Sequence, residues 1–71
     1  MENYLTEREK NVLHYLALGL KNEEIAKKLH ISVHTVKAHL EAIYEKLEVK
    51  NRVQAAIKAV LLKIVDKEIF V

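Results

Sequence analysis

Seventy-one residues make a chain of one small domain's length, with 51% apolar residues, no Pro, one Gly and no Cys. That composition excludes a disulfide framework, a thiolate zinc site and a disordered tail, and the sequence shows no signal peptide and no uncharged apolar run of about 18 residues that could span a bilayer. The net charge of +2 is unevenly placed: residues 1–26 hold three basic and five acidic side chains, residues 27–52 six and three, and residues 53–71 three and two.

Taken in chain order, the pattern predicts four helices and no strand. Thr6 followed by Glu9 reads as a capping box opening helix 1, whose stripe of Val12, Leu13, Leu16 and Ala17 ends before Gly19, a natural left-handed stop. Asn22 is placed to cap helix 2, where Ile25, Ala26 and Leu29 share a face and Ile31 plugs the turn that follows. Ser32 is the expected N-cap of helix 3, which is predicted over about 33–47 with Val36, Leu40, Ile43, Tyr44 and Leu47 on one face. Asn51 is expected to cap helix 4, with a core stripe of Val53, Ile57, Val60 and Ile64, while the KEIFV tail either frays or packs.

Residues 22–47 thus read as two short helices meeting at a tight turn, the outline of a helix-turn-helix, and the positive excess falls on that segment. With no repeat, linker or low-complexity run, residues 1–71 are read as a single domain. Glu7, Glu9, Glu23 and Glu24 fall in first turns of helices, where they complement the positive dipole end. On helix 3, the face away from the apolar stripe carries His34, Lys37, Ala38, Glu41 and Glu45. Only the major groove of DNA admits a helix and distinguishes all four base pairs, and a lysine at position 37 can donate to guanine O6 and N7.

The stretches LTEREKNVL (5–13), GLKNEEIAKKL (19–29), ISVHTVKAHL (31–40), IYEKL (43–47) and VKNRVQAAIKA (49–59), in this order and spacing, make the chain similar to the LuxR/GerE-type DNA-binding domain. The resemblance implies an all-α, four-helix domain with a recognition helix at about 33–47 and a dimerisation helix at about 52–66. It implies base contacts from Lys37, Ala38 and Glu41, with His34 on the same face. Glu41 departs from the commoner basic or amide residue, and it either accepts from cytosine N4 or stands as a solvated charge. Phosphate contacts are implied for Lys21, Ser32, Thr35, Lys46, Lys50 and Arg52, which set register rather than sequence. His30, Glu48 and the 61–63 stretch replace the family's usual glycines, so a left-handed backbone at the first two would carry strain.

Helix 4 is too apolar for one buried face, and Ala55, Ala59, Leu62 and Asp66 are read as a second face that pairs with a second copy, or that covers a regulatory domain outside the chain. The expected partners are double-stranded DNA and a second copy of the chain, with RNA polymerase a further candidate; no membrane, small-molecule ligand, cofactor or metal is expected. His30, His34 and His39 lie close in sequence, but no Cys or HExxH acid joins them and His30 falls in the turn. His39 flanks the apolar stripe and is expected to be half-buried, and His14 is expected at the surface. No nucleophile–base pair or Gly-rich phosphate loop is present, so an enzyme is not expected. The expected function is a cytoplasmic, sequence-specific transcriptional regulator, stand-alone or the output domain of a larger one. The rival is a protein-interaction module on the same fold, motivated by Glu41, Glu45 and Glu48.

Overall fold

The computed structural model describes residues 5–62. Four helices follow one another, α1 (Glu7–Ala17), α2 (Asn22–Leu29), α3 (Val33–Leu47) and α4 (Arg52–Leu61), with no strand among the described residues. The last four residues of the expected helix 52–66, including Ile64 and Asp66, lie outside them, as does the KEIFV tail.

Each helix begins where a side chain can satisfy its free N–H groups. The Glu9 N–H donates to Thr6 Oγ1 at 3.0 Å while the Thr6 N–H donates to Glu9 Oε1 at 2.9 Å, a complete capping box. Ser32 accepts from the Thr35 N–H at 3.0 Å and Asn51 from the Gln54 N–H at 2.9 Å. Helix α2 differs from expectation. Its N-cap is Lys21, and Asn22 is already the first helical residue. The Lys21 N–H donates to Glu24 Oε1 at 2.7 Å, which is half of a capping box, since a lysine side chain has no acceptor to return the bond.

Three of the four helices end in the same way. Gly19, His30 and Glu48 have φ of 94°, 59° and 59°, and beyond each the chain closes on the helix with a long bond: Leu20 N–H to Tyr15 O, Ile31 N–H to Ala26 O and Val49 N–H to Tyr44 O, at 2.9–3.1 Å. Helix α3 therefore stops at Leu47 and does not run on through Glu48. A β-carbon in the left-handed region costs on the order of 1 kcal/mol, and glutamate has less local compensation there than histidine. Glu48→Gly is expected to raise the melting temperature by roughly 3–6 °C, after allowing for the greater freedom of glycine in the unfolded chain. An unchanged or lower midpoint in thermal denaturation would show that position 48 carries no such strain.

The core is one cluster. Val12 and Leu13 from α1, Ile25 from α2, Val36 and Ile43 from α3 and Ala55 and Ala59 from α4 are fully buried, joined by Leu5, Leu16, Ala26, Leu40 and Leu47. Helix α1 packs against the other three, and α2 against α3. The expected faces of α4 are exchanged. Ala55 and Ala59, expected on an outer pairing face, are sealed in the core, and Val53 and Ile57, expected in the core, are 69% and 55% exposed. Two alanines let α1 and α4 approach closely, and that packing leaves the bulkier stripe outside.

Candidate nucleic-acid interface

Helix α3 is oriented by its buried stripe. At about 100° per residue, Val36, Leu40, Ile43 and Leu47 cluster on one side, while His34, Lys37, Ala38, Glu41 and Glu45 fall within an arc of about 100° on the other. All five of the latter are exposed. The fold thus turns outward the face on which the four expected base-contacting residues lie, and Glu41 occupies the middle of the arc.

Around the rim of this face, some of the expected phosphate contacts stand exposed and others hold intramolecular partners. Lys21 and Lys50 are exposed, Ser32 is exposed and Thr35 half-buried. Ser32 Oγ and Thr35 Oγ1 lie 2.9 Å apart in a shared hydrogen bond at the first turn of α3. Lys46 and Arg52 are half-buried, and both hold partners within the molecule. Lys46 Nζ donates to Glu9 Oε1 at 2.8 Å and to Oε2 at 3.1 Å, tying α3 to the start of α1. The Arg52 guanidinium donates to Asn22 Oδ1 at 2.8 Å and to the Leu20 carbonyl at 2.9 Å. Each of the two expected phosphate contacts thus also carries a structural role within the domain. Asn22, expected as a cap, serves as an acceptor for Arg52 instead. Lys21, Lys37 and Arg52 line one shallow concavity where α2 begins beside the first turn of α3.

Glu9 is a buried carboxylate with 6% of its surface exposed. Burial raises its pKa, but the hydrogen bond from Lys46, the Thr6 N–H, the lysine charge and the Thr6 hydroxyl together outweigh burial and hold it below the ordinary carboxylate value. Neither the depth of Glu9 nor its pairing with Lys46 was visible in the sequence, where 37 residues separate the two.

His39 is half-buried, as its place beside the stripe suggests, but His14 is half-buried too and packs edge-on against Tyr15 with ring centroids 5.4 Å apart. No group of three His, Asp or Glu among the described residues is arranged to hold a metal ion, and no described helix is long and apolar enough to cross a membrane.

Two short helices joined through a left-handed residue, the second presenting an outward polar face, define a helix-turn-helix domain in an all-α fold. The chain belongs to the luxR family of bacterial regulatory proteins: the GerE family model matches residues 3–59. That family is one of regulatory proteins rather than an enzyme class. Over 52 residues, 73% of the chain and 26% of the relative, it is 56% identical to a protein of Escherichia coli described as a putative HTH-type transcriptional regulator, YhjB. It is 55% identical over 53 residues, 75% of the chain, to the nitrate/nitrite response regulator NarP of the same organism, of which it covers 25%. It is 51% identical over 55 residues, 78% of the chain, to the response regulator VraR of Staphylococcus aureus, covering 26%. The chain spans about a quarter of the length of these curated relatives.

Proposed function

We propose that the chain is a helix-turn-helix unit that binds double-stranded DNA sequence-specifically in a cytoplasmic transcriptional regulator. The observation that carries this reading is the outward arc of α3, opposite its buried stripe and free of intramolecular partners at Lys37 among the described residues. With α3 in the major groove, Lys37 donates to guanine O6 and N7, Ala38 meets a thymine methyl and His34 reaches a neighbouring base edge. Lys21, Lys50 and the Ser32 and Thr35 hydroxyls contact phosphates and set the register. Relatives described as transcriptional and response regulators support the same role.

The unit works as a homodimer through α4, but by the exposed row Val53, Ile57 and Leu61 in place of Ala55 and Ala59. Half-buried Leu62 lies beside that row in sequence. A two-fold pair places two copies of α3 about one turn of DNA apart, roughly 34 Å, on a pseudo-palindromic site.

The test is selection of bound sequences from a random duplex pool, followed by titration at two salt concentrations. A two-half-site motif, affinity that falls steeply with salt, and a loss of roughly tenfold or more with Lys37→Ala are the expected results. An unenriched pool, with weak binding indifferent to Lys37→Ala, would favour a protein-interaction module, the alternative that the outward carboxylates Glu41, Glu45 and Glu48 suggest.

A further inference from the structure

Glu41 stands near the centre of the outward arc of α3, flanked by Lys37 on one side and Ala38 on the other, and it is exposed. No hydrogen bond or ion pair engages it among the described residues. Its one cationic neighbour on the helix is Lys37, four residues before it, and that order of lysine before glutamate is the weaker one for an intrahelical pair. Nor does Glu41 serve the helix itself. It lies in the middle of α3, far from the first turn, where a carboxylate would complement the dipole. A carboxylate so placed gives the domain nothing in isolation, and on a face that meets DNA it repels phosphate and every acceptor edge.

We propose that Glu41 is a specificity-determining residue that selects a cytosine by accepting from its exocyclic N4 amine, and rejects guanine and thymine at that position. This inference rests on the DNA-binding reading above. The major-groove edges of guanine and thymine present acceptors, O6 and N7 or O4, whereas cytosine presents only the N4 donor. An aspartate or glutamate is acceptor-only when ionised, so facing an acceptor leaves it desolvated without a partner. Adenine offers one donor beside one acceptor and stands between the two cases. The reach is set by the helix. Four residues rise about 6 Å along its axis against 3.4 Å per base pair, so Glu41 meets a base pair about two steps from the one Lys37 meets. The preferred half-site therefore pairs a guanine, read by Lys37, with a cytosine about two base pairs away on either strand.

The experiment compares wild type, Glu41→Ala and Glu41→Gln, first by selection from a random duplex pool, then by titration against the selected duplex with each of the four base pairs at the assigned position. Because Glu41 is exposed and unpaired, both variants keep the fold, which thermal denaturation checks. Wild type is expected to prefer cytosine at one position of each half-site by roughly fivefold to tenfold. Glu41→Ala is expected to flatten that position alone, and to bind the guanine and thymine duplexes more tightly than wild type does. Glu41→Gln, whose amide both donates and accepts, is expected to shift the preference toward adenine. If Glu41→Ala strengthens binding to all four duplexes equally, Glu41 is a solvated charge and the inference is overturned while DNA binding stands. A wild-type protein that retains no duplex from the pool overturns the DNA-binding reading itself.

Discussion

Replacing Lys46 by methionine is expected to lower the melting temperature by about 10 °C or more. The substitution keeps the aliphatic stem but strands the Glu9 carboxylate, which is 6% exposed and linked to Lys46 Nζ at 2.8 Å. Removing one partner of a buried pair leaves an uncompensated charge at a cost of about 3–5 kcal/mol. The Lys46 side chain keeps 31% of its surface in water, so solvent screening brings the figure down to about 2 kcal/mol, and each kcal/mol is worth roughly 4–8 °C in a domain of this size. In a Glu9→Gln background, which keeps an acceptor for the Thr6 N–H but carries no charge, Lys46→Met is expected to cost much less, and a double-mutant cycle measures the coupling. Additive losses would show that the lysine acts by packing alone.

The same pair sets an acid dependence. The folded-state pKa of Glu9 is held below its unfolded value, so between the two the unfolded chain binds the proton that the folded one does not. The contribution is fully present above the unfolded pKa of about 4.3 and is lost as pH falls through the folded value. Denaturation midpoints followed from pH 6 downward, each pH being a chosen condition, are expected to fall less steeply for Lys46→Met than for wild type, because without the lysine burial pushes the Glu9 pKa back up.

The second large effect is expected from Ile57→Glu, which should break the pairing of two chains while leaving each one folded. Val53, Ile57 and Leu61 follow one another at intervals of four along α4, with 69%, 55% and 72% of their surfaces exposed. A row of bulky apolar side chains in that position is what a two-fold helix contact buries, and a glutamate at its centre would meet its own copy across the axis. Affinity for a duplex with two half-sites is expected to fall about a hundredfold, affinity for a single half-site to stay the same, and the thermal midpoint to move little. A glutamate at Ala55, fully buried against α1, is expected to unfold the chain instead. Cooperative filling of both half-sites by Ile57→Glu would remove α4 as the pairing element.

The contrast between positions 55 and 57 shows where the sequence stops being legible. Helix ends are local events, and Thr6 with Glu9, Ser32 and Asn51 announced them through short-range hydrogen bonds that the structure contains. The stripe of α3 was legible because its opposite face is polar. Helix α4 has apolar residues on both sides, so periodicity offers two stripes offset by two residues and no means of choosing. The choice falls to close packing against α1, which favours alanine over the more hydrophobic valine and isoleucine. Lys46 and Arg52 illustrate a second limit. Charge beside a basic segment suggests phosphate contacts, and only folding reveals that these cations also have acceptors 37 and about 30 residues away.

Arg52 has a mechanical consequence beyond its hydrogen bonds. It is the first residue of α4, and its planar guanidinium grips the backbone and side chain at the entrance to α2. Two donors fixed in one plane restrain direction as well as distance. In the proposed pair, α4 is the axle on which two reading heads turn, and this fork locks each head to its axle. The rotational phase between the two heads would then be set by the protein, and a change in half-site spacing of even one base pair would have to be met by over- or untwisting the DNA.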